Sequence, residues 1–276
     1  MASSNESDPN YTILYQEPPG KALLEYDTLK HPTEQPLAVP PTIAAASQTR
    51  EDVFVAMHPL LTYEYNLDYD DPRSVHFVAF SKSPDENAVD PSSITDLESR
   101  NKFISRAIGS LRFIPFPHYH LHPLPGAVFD KEALLAALEA EAASGPLFER
   151  PIPGYRQDRK TRYHDGIEPY LKVGRMCVIP GWRGKGVMTE LLRVGYEWLR
   201  ANQGWATTSK VGGEVDGREK GIGWWKGLIC AHADGGAQRA WEREGFVVDE
   251  EMGNWWIMGI KHVCMWKRID LEGLGE

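Results

Sequence analysis

Hydrophobic and polar positions are most regularly arranged between Leu171 and Arg200. The segment LKVGRMCVI reads as a strand, Pro180 ends it, WRGKGV forms a turn, and MTELLRVGYEWLR carries its apolar residues at helical spacing. The same reading predicts an edge strand over 11–16, a helix from about Gln48 to His58, and strands over Val75–Ser81 and Arg106–Ile114. A polar loop with Pro84 and Pro91 separates those two strands. A further helix is expected over Asp130–Ala143, capped by Asp130 with Glu132 in its first turn. Later, GLICAHADGGAQRAWEREGFVVDEE predicts a buried strand, a short helix from about Ala237, a stop at Gly245 and another strand. The Pro- and Ala-rich stretch 17–47 predicts an extended arm, with residues 1–10 as a polar tail. Two stretches interrupt the pattern, at about 115–169 and, Gly-rich with Trp205, Trp224 and Trp225, at 204–226; both are candidate lids.

The turn WRGKGV has chemistry of its own. Gly184 and Gly186 permit close backbone approach and unusual dihedrals, the following helix offers unpaired N–H groups at its positive end, and Arg183 and Lys185 add charge. A phosphate or pyrophosphate suits such a turn. A nucleoside-triphosphate loop is excluded, because Lys185 is followed by Gly186 rather than Ser or Thr. A dinucleotide fingerprint is excluded as well, since Met188 and Thr189 stand where a third glycine is needed.

The remaining match is Arg/Gln-x-x-Gly-x-Gly/Ala, met by Arg183, Gly184, Lys185, Gly186, Val187 and, with a departure, Met188. Here the chain resembles the GNAT superfamily of acyl-CoA-dependent N-acetyltransferases. Trp241 to Phe246 (WEREGF) resembles that family's Tyr-Glu-x-x-Gly-Phe ending, while TREDVFVAMHPLL, AIGSLRFIPFPH and MGIKHVCMWKRI resemble elements of its ElaA-like and fungal branch. The resemblance implies a mixed α/β (α+β) fold. Its sheet would have six or seven mostly antiparallel strands, splayed between the fourth and fifth, with helices on both faces. It also implies one domain over 48–270 with the two insertions.

Acetyl-CoA is then the expected co-substrate and the amine of a small molecule the acceptor, attacked directly in a ternary complex. The backbone of Met176, Cys177 and Val178 would meet the thioester and pantetheine, and the turn from Arg183 to Met188 the pyrophosphate. Trp241 replaces the Tyr that serves many members as general acid, and an indole N–H cannot be given up near neutral pH. Asp234 stands in place of an Asn that helps hold CoA, and Met57 and His58 in place of a Glu-Gln pair. These departures imply either a pocket for an aromatic or hydrophobic amine, or an acyl-CoA-binding protein whose catalysis is lost or repurposed.

Candidate side chains beyond the turn are few. His58 is a candidate base or a capping histidine, His232 could face the thioester or bond its own loop, and Glu214 could reach over the site from the second insertion. In PHYHLHP an extended backbone would align His118, His120 and His122 as a metal tripod, whereas Pro117 and Pro123 favour a turn. Arg150, Arg156, Arg159, Lys160 and Arg162 form a basic cluster, a candidate contact for the adenosine 3′-phosphate or a solvated loop.

Cys177, Cys230 and Cys264 lie in apolar strands without short spacing, which predicts packing thiols rather than disulfides or zinc; no metal is expected. A net charge of −9 argues against a nucleic-acid surface. No apolar run is long enough for a membrane span and no leader pattern opens the chain, so a cytoplasmic protein, compatible with a homodimer, is expected.

Overall fold

The computed structural model describes residues 10–55, 66–82, 90–142, 153–207 and 224–272 of the 276. Nine strands among them form one sheet: β1 Tyr11–Gln16, β2 Val75–Ser81, β3 Ala107–Ile114, β4 Val128–Phe129, β5 Leu171–Val178, β6 Leu228–Asp234, β7 Val247–Val248, β8 Asn254–Ile257 and β9 Ile260–Arg268. Their spatial order is β1-β2-β3-β5-β6-β9-β8-β4, with β7 also on β9. All neighbours are antiparallel except β5–β6 and the short β4–β8 pair. The expected strands are present, and two short ones that were not expected, β4 and β8, bring the sheet to nine where six or seven were anticipated.

Helices cover both faces. The amphipathic α4, Val187–Ala201, lays Leu191, Leu192 and Leu199 on Phe77, Phe113 and Val173, each buried leucine contributing about 1.5–3 kcal/mol. Gly195 lets it approach: a Cβ there would stand 2.5 Å from Cε2 of Phe113. On the other face Ala44, Ala45 and Ala46 of α1, Pro41–Arg50, pack with Phe103 and Ile104 of α2, Leu97–Ile104, against Val78 and Phe80. Layers on both sides explain why β2 is buried along nearly its whole length. The remaining helices are α3 Lys131–Ala142, α5 Gln203–Thr207 and α6 Gln238–Arg243. Asp130 caps the first turn of α3, its Oδ1 accepting from Ala133 N at 2.9 Å, as expected. None of these helices is long and apolar enough to cross a membrane.

Two expectations need correction. The first helix begins at Pro41, not Gln48, and continues beyond Arg50 as a π-helical turn, Glu51–Val55. Pro41 at its first position is a helix-start signal that the Pro-rich context of 17–47 disguised, so the arm is helical from residue 41. The loop between β2 and β3 contains α2, started by Asp96, whose Oδ1 accepts from Ser99 N at 2.8 Å. Only Phe103 and Ile104 at its end carry an apolar signal strong enough for its packing.

An ionic network lies beneath α1. Asp71 accepts from Arg50 Nη1 at 2.9 Å and pairs with Arg112 Nη1 at 2.6 Å, and Arg112 also forks onto both oxygens of Asp68. Arg50 Nη2 donates to His76 Nδ1 at 3.1 Å while His76 Nε2 donates to the Asp71 carbonyl at 2.9 Å, which fixes the neutral Nε2–H tautomer. Burial raises the Asp71 carboxyl, but Arg112 and Arg50 outweigh it and hold it below the ordinary carboxylate range. Burial lowers His76 to about 4.

Asp71→Asn leaves the buried Arg50 guanidinium without a carboxylate while Arg112 keeps Asp68, and urea unfolding should show a loss of about 3–5 kcal/mol. For His76 the folded pKa lies below the unfolded one, so the unfolded chain binds the extra proton between about pH 6.5 and 4 and stability falls as pH drops through that window. Comparing wild type with His76→Gln by urea titration at several pH values, the variant should lack a share of the acid loss amounting to about 3 kcal/mol across the window.

Candidate functional site

The parallel strands β5 and β6 pair at only three positions, Leu171↔Ile229, Lys172↔Cys230 and Val173↔Ala231. Beyond Val173 they part: β5 goes on to Val178 alongside β3, and β6 to Asp234 alongside β9. The cause lies within β5. Its register with β3 steps from Ser110↔Cys177 to Arg112↔Gly174, so Arg175 and Met176 together oppose Leu111. This is a β-bulge, which bends and twists the strand that carries it. Arg175 takes a left-handed φ of 53° there, and its Nη2 donates to Asp68 Oδ2 at 3.0 Å.

The consequence is a wedge between two strands, with the backbone of Gly174–Val178 facing a gap where no β6 residue is in register. An extended ligand arm can pair with such an edge, as a strand would. Met176 and Val178 are half-buried against the core; Cys177 is buried, its Sγ 3.3 Å from Ser110 Oγ, and burial pushes its thiol up. The side chains around this part of the strand thus belong mostly to packing, and the backbone is what the wedge offers.

Immediately after β5, a 3-10 turn, Pro180–Trp182, leads into the glycine turn. Gly184 and Gly186 have φ of 73° and 77°, and Gly186 occupies the N-cap of α4 without a capping side chain. The first-turn N–H groups of this fifteen-residue helix therefore keep their capacity for an anion. Lys185 Nζ sits 4.9 Å over the Trp182 ring, and Arg183 Nε donates to Val178 O at 3.0 Å, which sets both cations beside the turn. Glu190, in the same first turn, opposes an anion, but Arg193 pairs with both its oxygens at 2.6 and 2.8 Å. Val187 is buried, and Met188, the departure from the glycine pattern, packs partly buried against the core, leaving the turn to backbone groups.

The other predicted residues separate. Trp241 is 5% exposed, edge-on to Phe246 at 4.9 Å within the main core, so its position is one of packing. Asp234 ends β6 and its Oδ1 accepts from Ala237 N at 2.9 Å, bracing the turn into α6. His58 and Glu214 lie outside the described residues. The arginine cluster is not gathered round an anion: Arg159 donates to the carbonyls of Pro123 and Met252, Arg156 to that of Tyr119, and Arg162 lies over the Tyr163 ring. Arg150 is outside the described residues.

His232 goes elsewhere than expected. Alternation along β6 turns Ile229, Ala231 and Ala233 to the α4 side and Cys230 and His232 to the opposite face. On that face His232 meets His122, with ring centroids 5.0 Å apart, and Cys264 is its partner across the β6–β9 ladder. The histidine tripod of 118, 120 and 122 does not form: His118 Nε2 bonds the Tyr170 carbonyl at 2.9 Å, whereas His122 reaches Asp158 and Cys230. Cys230 and Cys264, expected as separate packing thiols, have their sulfurs 3.7 Å apart. The Cys230-x-His232 spacing on one strand was the available signal for this grouping, and its other members lie 108 and 34 residues from Cys230.

No protein-family model matches the chain, and no curated protein matches it. Similar solved structures include an acyl-CoA N-acyltransferase from Pseudomonas aeruginosa, at 14% identity and TM-score 0.42 over 94% of this chain and 99% of that one. ElaA from Escherichia coli is similar at 14% identity and TM-score 0.42, over 93% and 100%. The CoA-dependent acyl-homoserine lactone synthase BjaI is similar at 15% and 0.43, over 94% and 83%. Likeness of this degree leaves the assignment to the chain's own geometry. The mostly antiparallel order of the sheet, its parallel pair splayed at the β5 bulge, and the glycine turn feeding α4 are features the sequence resemblance implied, and together they make a mixed α/β fold with helices on both faces of one sheet.

Proposed function

We propose that the chain is an acyl-CoA-dependent N-acyltransferase of the GNAT type, which moves an acetyl group from acetyl-CoA to the amine of a small molecule. The observation that carries this reading is the wedge between β5 and β6 directly upstream of the glycine turn. The two sites are consecutive in the chain, so one extended ligand with a diphosphate at one end and a thioester at the other fits both. The pyrophosphate rests on the N–H groups from Arg183 to Met188, and the pantetheine amides pair with the backbone around Met176, Cys177 and Val178.

The chemistry then asks little of side chains. The neutral amine attacks the thioester carbonyl carbon, a backbone N–H of β5 donates to the resulting oxyanion, and the C–S bond breaks. The amine's proton and the thiolate's protonation balance through solvent, because Trp241 is held in the core and has no proton to transfer. A second reading, an acyl-CoA-binding protein without turnover, is favoured by the packing role of Trp241 and the bracing role of Asp234.

Calorimetric titration with acetyl-CoA should show binding at a single site. The double variant Arg183→Glu, Gly186→Glu should weaken it about 100-fold, as expected for losing charge-assisted contacts of about 1.5–3 kcal/mol; unchanged affinity would place the phosphates elsewhere. Release of free CoA in the presence of an amine panel rich in aromatic acceptors is the expected turnover signal. Tight binding with no release for any amine would leave the second reading in its place.

A further inference from the structure

On the face of the sheet opposite α4, four side chains converge whose chemistry the acyl-transfer reading does not use. Cys230 and His232 come from β6, Cys264 from β9, and His122 from the insertion between β3 and β5. One donor atom from each lies within 4.8 Å of every other. Cys230 and Cys264 are fully buried and His122 is 6% exposed.

Two of these separations are close to the edges of a zinc tetrahedron. Two thiolates about 2.3 Å from one tetrahedral zinc stand about 3.8 Å apart, and a thiolate and an imidazole nitrogen about 3.6 Å apart. The sulfurs of Cys230 and Cys264 are 3.7 Å apart, and Cys230 Sγ is 3.3 Å from His122 Nε2. A disulfide would need the sulfurs about 2 Å apart.

The surroundings prepare the ligands. His122 Nδ1 donates to Asp158 Oδ2 at 2.6 Å, and Tyr170 Oη and Arg159 N donate to the same carboxylate at 2.9 and 2.8 Å. That carboxylate fixes the tautomer in which Nε2 presents its lone pair toward Cys230, the usual outer partner of a metal-bound imidazole. Independently, His232 Nε2 is buried with no hydrogen-bond partner, a cost that a coordinated cation removes.

We propose that His122, Cys230, His232 and Cys264 bind one tetrahedral zinc ion, a structural site that ties the insertion carrying His122 and Asp158 to β6 and β9. Four protein donors close the coordination sphere, which is the mark of a structural rather than a catalytic zinc. Two thiolates with two neutral imidazoles balance the dication and suit a borderline-soft metal. The site does not depend on the acyl-CoA reading, since no residue of the glycine turn or the wedge belongs to it.

The test is metal analysis of the purified, reduced full-length protein, followed by replacement of the bound ion with Co²⁺. One equivalent of zinc is expected, and the cobalt form should show thiolate-to-metal charge transfer together with the intense visible bands of a tetrahedral centre. Cys264→Ser and His232→Gln should each lose or shift those bands, while Cys177→Ser, a thiol outside the cluster, should keep them. Should the ligand variants fail to fold, the wild-type stoichiometry and cobalt spectrum decide alone. Absence of zinc with no thiolate band on adding Co²⁺ overturns the proposal, and so does a Cys230–Cys264 disulfide in protein handled without reductant and supplied with zinc.

Discussion

A single arginine in a left-handed conformation holds open the wedge between β5 and β6. Arg175 sits in the middle of β5 at φ 53°, where a side chain other than glycine costs of order 1–3 kcal/mol. The surrounding ion network makes that conformation tolerable. Asp68 accepts from Arg175 and is itself gripped by Arg112, which also reaches Asp71, which in turn holds Arg50 of α1. With the bulge fixed in this way, β5 cannot follow β6 beyond Val173, and the wedge stays open. The helix α1, the strands β2 and β3 and the gap beside β5 are thus coupled through charges that are buried at Arg50, Asp71 and Arg112 and partly exposed at Asp68 and Arg175.

The sheet divides two kinds of chemistry. Toward the gap and the glycine turn, the groups available are backbone N–H and C=O, supplemented by Arg183 and Lys185, and side-chain identity matters mainly for packing. On the face away from α4, side chains do everything: thiols, imidazoles and the Asp158 carboxylate meet in a dry layer formed by Tyr170, Trp255 and Trp266. Within that layer burial pushes the Cys230 thiol up, but hydrogen bonding from Cys264 and the two imidazoles outweigh burial and bring it well below its ordinary value. The insertion is held there by more than one contact, with Arg159 bonded to the Met252 carbonyl and Glu168 paired with Arg268.

Legibility from the sequence followed the range of the interactions concerned. β2 and the cap of α3 were placed correctly because a short, nearly continuous apolar run, and an Asp before a helix, are local signals. The turn from Arg183 to Met188 was readable for the same reason, and the structure adds that Met188 packs partly buried against the core. The start of α1 was misplaced because Pro41 reads equally as an arm or as a first helical residue, and burial of Ala44–Ala46 against β2 decides between them. α2 was missed since its polar sequence gains its apolar contacts only at Phe103 and Ile104.

The sequence by itself determined the glycine turn and the helix it feeds, because both are built from consecutive residues and their dihedral needs are local. It also determined most of the strands and the helices Lys131–Ala142 and Val187–Ala201, through periodicity. Tertiary structure decided what the isolated chemical residues mean. Trp241 became core, His232 took the face of the sheet away from α4, and Cys230 and Cys264 became neighbours. Each outcome depends on strand register and on which face a residue takes, and pairing over tens of residues of separation sets both.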